Sequence, residues 1–160
     1  MPARAILLNG PSSSGKSTLA RALRQACGGG WEVVSIDDHL PMTAAEPIWE
    51  DDVYAVIPLM NAAVWKALAA GRSVIIDHVI TSERVFRQTM DALRDAPALL
   101  VRVTCSREEL VQRENARKNR CPGSAEASDD FLYPQSGYDL TVDTTDRSPE
   151  DIAADILPWL

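Results

Sequence analysis

The chain has 160 residues, enough to bury the core of one domain and too few for two good ones. A net charge of -7 argues against nucleic acid or an anionic membrane as the main partner, and no apolar run approaches the ~20 residues that cross a bilayer. Cys27, Cys105 and Cys121 form no C-x-x-C pair, and with no basic-then-apolar leader ahead of the first strand they are expected to be reduced thiols of a cytoplasmic protein.

The first expected element is a buried strand over Ala5-Ile6-Leu7-Leu8. After it, Gly10-Pro11-Ser12-Ser13-Ser14-Gly15-Lys16-Ser17 fits the pattern G-x-x-x-x-G-K-[ST] without a mismatch, and a helix follows from Ser17 through Leu23. A loop between strand and helix turns successive N–H groups toward one point and adds the positive end of the helix dipole, which makes a polyphosphate site. Lys16 is expected to reach the β/γ-phosphates and the Ser17 hydroxyl to take one Mg²⁺ position, with Thr18 next in the ATP-binding set.

The helix should stop at Gly28-Gly29-Gly30. Residues 32–36 form a second strand ending at Asp37-Asp38-His39, and 40–50, with Pro41 and Pro47, form an irregular connection. Val53, Ile57, Met60, Val64 and Leu68 recur at helical spacing up to Gly71, with Pro58 bending that helix or marking its first turn. Ser73-Val74-Ile75-Ile76-Asp77 is a third strand of the doubly covered, parallel kind. Ser82 caps a helix running to about Asp95, and Leu99–Val103 is a fourth strand. Ser106 with Glu109 makes a capping box for a long polar helix to about Arg120, followed by a mobile loop over 121–137. A fifth strand, 138–142, and a helix capped by Ser148 with Pro149 at its first position complete the chain. That last helix carries an apolar stripe of Ile152, Ile156, Leu157 and Leu160. Five alternations of strand and helix imply one three-layer α/β domain over residues 1–160, with a mainly parallel sheet and helices on both faces.

A triphosphate site alone names no function, because switches, motors and kinases share it. Asp77-His78-Val79-Ile80 is not the Asp-x-x-Gly of a GTPase switch, Asn-Lys-x-Asp is absent, and there is no dinucleotide-binding G-x-G-x-x-G. A small kinase remains, and it needs three further parts. The first is a base for the acceptor hydroxyl. Asp37, at the carboxyl end of the second strand, is the candidate, with Asp38 as the alternative. The second is a carboxylate near the metal, for which Asp77 is placed; acceptor contact or simple capping are its other roles. The third is positive charge. Arg113, Arg117, Lys118 and Arg120 face Glu114 alone between 113 and 120, and the arginines fall on one helical face at i, i+4 and i+7. They suit a phosphate clamp in a lid over about 107–137 that closes and excludes water. His39 and His78 are placed to line the acceptor pocket or to serve structure alone.

With these residues the chain resembles the chloramphenicol phosphotransferase-like family of small P-loop kinases. The likeness rests on Leu8-Asn9-Gly10 leading into Ser13–Ser17, on Asp37, and on Ile75-Ile76-Asp77. It continues through Arg113-Glu114-x-Ala116-Arg117-x-x-Arg120-x-x-Gly123 and Tyr138-Asp139-x-x-Val142-Asp143-Thr144-Thr145. The resemblance implies ATP- and Mg²⁺-dependent phosphorylation of a hydroxyl on a small organic molecule. It makes Asp37 the base, Arg117 and Arg120 the lid arginines, and Asp143-Thr144-Thr145 the adenine cradle. The chain departs from the antibiotic kinase between Asp38 and about Asp52, where it is shorter, and at His78, where a second acid is expected. Leu40, Met42, Trp49, Tyr54, Val79 and Ile80 are the expected acceptor walls. Two rival readings are a regulatory or toxin module that acts on a macromolecule and a kinase of a central metabolite. A phosphate-bearing acceptor would want basic residues over 38–54, and that stretch has none.

Overall fold

The computed structural model describes residues 2–160. Strand β1 (Ala5–Asn9) is buried along its whole length, and its alternating side chains feed two separate cores. Ala5 and Leu7 pack with Val74 and Ile76 of β3 (Ser73–His78) under α2 (Glu50–Ala69) and α3 (Glu83–Leu93). Ile6 and Leu8 pack on the other face with Ile75 of β3 and with Val101 and Val103 of β4 (Ala98–Thr104). There they meet Leu19, Ala20 and Leu23 of α1 (Lys16–Cys27) and Ile152, Ala153 and Ile156 of α6 (Pro149–Ile156). With β2 (Trp31–Ser35) and β5 (Leu140–Asp143) the sheet has the order β2-β3-β1-β4-β5, and every pair is parallel. The result is the expected three-layer α/β architecture. Because β1 is central, the loop that follows it lies in the middle of the sheet's carboxyl edge, with β3 on one side and β4 on the other.

Helix boundaries follow local chemistry. Ser82 Oγ accepts the Val85 N–H, and Ser148 Oγ accepts the Asp151 N–H with Pro149 at the first helical position. α2 opens on Glu50, Asp51 and Asp52, which favour its positive end, and runs through Pro58 without interruption. Pro58 is therefore not the first turn of this helix.

Three expectations are corrected. The long polar helix stops early: α4 spans Arg107–Asn115, and the Arg117 N–H bonds the Glu114 carbonyl at 2.9 Å in a tight turn. Continued helix would have stacked Arg113, Arg117 and Arg120 as like charges, and the turn avoids this. The stretch 121–137 is not structureless either, because Ser124–Asp130 forms a further helix, α5. The capping box is also only half formed. Ser106 Oγ accepts the Glu109 N–H, while the Glu109 carboxylate turns to Arg113 at 2.8 Å.

The three cysteines are free and half-buried, and no helix of the described residues is long and apolar enough to cross a membrane.

Candidate active site

The carboxyl edge of the sheet opens into a cleft of about 1300 Å³. Its floor is the Gly10–Ser17 loop. Ser13 and Gly15 both take the left-handed backbone conformation, at φ 66° and 88°, and so curl the loop into a concave turn at the start of α1. The first amides of α1 have no intrahelical partner, and the positive end of the helix lies with them. Gly10 is required by a close approach: a Cβ there would lie 2.3 Å from the Val103 carbonyl oxygen.

Lys16 is 5 % exposed, and its Nζ donates to the Pro11 carbonyl at 2.6 Å and to Ser14 Oγ at 3.3 Å. Burial pulls its pKa down to about 8 against the opposing attraction of Asp77 and Asp37. The ammonium is thus a desolvated donor folded back on its own loop. Two segments brace that loop from outside. Thr144 Oγ1 donates to the Ser14 carbonyl at 2.6 Å, and Ser128 Oγ accepts the Ser12 N–H at 2.9 Å.

Beside the loop, Ser17 Oγ donates to Asp77 Oδ2 at 2.5 Å, and Ser35 Oγ donates to the same oxygen at 3.1 Å. A hydroxyl and a buried carboxylate meeting at the head of α1 are the hard oxygen donors that Mg²⁺ takes one or two at a time while keeping waters. The donor set therefore fits that ion. Asp37 lies in a single 3-10 turn, Ile36–Asp38, that continues β2 and is capped by Ser35 Oγ. Its Oδ2 accepts from Arg120 Nη2 at 2.6 Å. Arg117 Nη1 reaches Ser13 Oγ at 3.5 Å, and burial, with the nearby Arg120 charge, lowers its pKa. Arg113 donates to Thr144 Oγ1 at 3.1 Å and to the Thr144 carbonyl at 2.8 Å. The three arginines converge on one cleft, though from a helix and the turn after it rather than from one helical face.

Placement of the other expected residues is mixed. Ser12, Ser13, Gly15, Ser17 and Thr18 line the cleft, as do Asp38, Leu40, Met42, Trp49 and Val79. Gly10, Pro11 and Ser14 are buried and do not line it. Four acceptor-wall expectations are corrected. His78 is fully buried with both ring nitrogens unpartnered, and burial holds its pKa down at about 3. Ile80 is core, and Tyr54 packs against that core with the Arg84 guanidinium 4.0 Å above its ring. His39 turns its Nδ1 to the Ser35 carbonyl at 2.9 Å and lies off the cleft wall. The adenine cradle is corrected in part. Thr144 lines the cleft, but Asp143 and Thr145 hydrogen-bond each other outside it. The sequence reading missed Arg147, Pro149 and Phe131 as lining residues; Phe131, 71 % exposed on a short helix end, is the one its own hydrophobicity could have flagged.

Residues 3–160 match the family model described as chloramphenicol phosphotransferase-like protein. Two Mycobacterium tuberculosis proteins, named provisionally as O-phosphotransferases, are 26% identical over 178 residues, spanning 94% of this chain and 79% of theirs. The Mycobacterium tuberculosis APS kinase in complex with AMPPNP and APS aligns with a TM-score of 0.75 at 14% identity, covering 99% of this chain and 98% of that one. A gluconokinase from Sinorhizobium meliloti 1021 aligns with a TM-score of 0.73 at 21% identity, covering 97% and 90%. The two structural likenesses show the P-loop kinase fold.

Proposed function

The chain belongs to the chloramphenicol phosphotransferase-like family, and on that premise we propose that it is an ATP-dependent phosphotransferase. It would move the γ-phosphoryl group to a hydroxyl of a small organic molecule. One observation carries this reading: the Lys16 loop and the Asp37 carboxylate open into the same cleft, with Arg117 and Arg120 between them.

In this mechanism the loop amides and Lys16 hold the phosphates. Lys16 exchanges the Pro11 carbonyl for phosphate oxygens, and its desolvated ammonium interacts with them more strongly than a hydrated one would. Ser17 and Asp77 would hold Mg²⁺, which supplies charge neutralisation at the phosphates. Arg120 moves its hydrogen bond from Asp37 toward the transferring group, and Asp37 accepts the proton of the acceptor hydroxyl. The segment 107–137 acts as a lid that carries the arginines and excludes water. With Asp143 and Thr145 outside the cleft, Thr144, Arg147 and Pro149 are the groups at hand for the nucleobase.

The acceptor end of the cleft, from Asp38 to Val53, presents Leu40, Met42, Pro47, Ile48 and Trp49 beside the carboxylates of Asp38, Glu46 and Glu50, and no lysine or arginine. That lining favours an uncharged acceptor over a sugar acid or a phosphorylated metabolite. The test is a screen of hydroxyl compounds, neutral and anionic, for stimulated ADP release by the wild type and by Asp37→Asn. Stimulation by a neutral alcohol that Asp37→Asn abolishes supports the reading. Stimulation by none, together with tight binding to a macromolecule, would favour a regulatory module instead.

A further inference from the structure

Glu114 has no part in the mechanism above, yet it is 5 % exposed in a segment otherwise populated by Arg113, Arg117, Lys118 and Arg120. Both of its carboxylate oxygens act outside its own helix. Oε2 accepts the Gly123 N–H at 2.9 Å, and Oε1 accepts the Ala125 N–H at 2.7 Å. These amides open α5, where the first N–H groups have no intrahelical partner. The capping position is Gly123 at φ 88°, a conformation that a side chain would strain, so it has no hydroxyl or carboxylate of its own to offer. Glu114 supplies from α4 the acceptor that α5 lacks.

A single side chain thereby closes a loop. Residues 115–122, which contain Arg117 and Arg120, are held at one end by the helix that carries Glu114 and at the other by its carboxylate. Inside the loop, Arg117 N–H donates to the Glu114 carbonyl at 2.9 Å and Ser124 Oγ to the Cys121 carbonyl at 2.6 Å. α5 is in turn docked on the phosphate loop, through Ser128 and Ser12 at 2.9 Å. Among the described residues the Arg120 side chain bonds only Asp37 and the Asn119 carbonyl, and its Nε is buried without a partner there. Its aim is therefore set by the loop that carries it together with Asp37, and two hydrogen bonds leave three of its five N–H donors unused.

We infer that Glu114 is a positioning residue: it clamps the 115–122 loop so that Arg117 and Arg120 converge over the phosphate loop. This inference rests on the reading of the cleft as a triphosphate site. A purely structural carboxylate would lower stability when removed but would act independently of the arginines. A positioning carboxylate acts only through them.

The experiment is a mutant cycle read by calorimetry with MgATP and MgADP, using the full chain. Glu114→Ala should weaken MgATP roughly tenfold, the order of effect of a charge-assisted hydrogen bond, and leave MgADP within about twofold. In an Arg117→Ala/Arg120→Ala background the same change should cost MgATP nothing further. Equal weakening in both backgrounds, or equal weakening of MgATP and MgADP, overturns the inference. If Glu114→Ala does not fold, Glu114→Gln keeps one acceptor oxygen. It should give a smaller loss of MgATP and faster hydrogen exchange at the Gly123 and Ala125 amides; unchanged exchange there overturns the clamp. If the wild type gives no heat with MgATP, the triphosphate reading falls, and the inference with it.

Discussion

The Arg120 guanidinium holds the Asp37 carboxylate at 2.6 Å, so the group proposed to take a proton is paired with one proposed to neutralise phosphate. Asp37→Asn keeps an oxygen to accept the arginine N–H, so the fold should survive. Turnover should fall roughly 10²–10⁴-fold, the usual worth of a general base. Steady-state ADP release with an unchanged thermal midpoint is the measurement. Full turnover would remove Asp37 from the chemistry.

Lys16 titrates at about 8 in the folded chain against an ordinary 10.5, because burial disfavours its ammonium. Between those values the unfolded chain binds the proton and the folded chain does not, so stability rises with pH across this window and is lowest below it. A bound polyphosphate favours the ammonium. Nucleotide binding above about pH 8 should therefore take up a proton, seen as a binding heat that varies with the ionisation enthalpy of the buffer. A buffer-independent heat at pH 9 would contradict this.

His78 is kept neutral to about pH 3 by burial, with the nearby Lys16 charge adding to the effect, whereas in the unfolded chain it titrates near 6.5. Over that interval the unfolded chain binds the extra proton, so stability falls as pH falls, by at most about 1.4 kcal/mol per pH unit. His78→Leu should flatten this part of the profile in urea unfolding at pH 6.5, 5.5 and 4.5. Parallel profiles would show that the imidazole does not contribute.

Gly10→Ala would set a Cβ 2.3 Å from the Val103 carbonyl oxygen and 3.1 Å from the Val103 Cβ. Backbone must move, so the cost should be about 1–3 kcal/mol or more. Gly29→Ala, which meets nothing within 4 Å, is the control and should stay within about 0.5 kcal/mol. Equal denaturation midpoints for the two variants would refute the close-packing argument.

The strands and the loop after β1 were legible because their signals are local: apolar runs mark buried strands, and the glycines and lysine of the loop mark its shape. α5 was not legible. Ser124–Asp130 has no apolar stripe and buries only Ala125. The segment is held by partners distant in sequence: Glu114 on its amides, and Arg107 on Glu126 at 3.0 Å and Asp130 at 2.8 Å. The end of α4 was hidden for a related reason, since no proline or glycine marks it and the turn is fixed by what Glu114 and Arg120 bond across space. His78 could have been placed correctly. Successive strand residues point to opposite faces, so if Asp77 faces the phosphate loop, its neighbour in the same strand faces away.

Thr144 ties the phosphate loop to the outermost strand, bonding the Ser14 carbonyl just beyond β5, a four-residue edge strand. Edge segments of this kind open at lower free energy than the central sheet. Gentle heating should therefore release the rear support of the Gly10–Ser17 loop while the middle of the molecule stays intact. Capacity to hold a triphosphate would fade several degrees before cooperative melting, and the edge of the sheet would act as the thermal fuse of the enzyme.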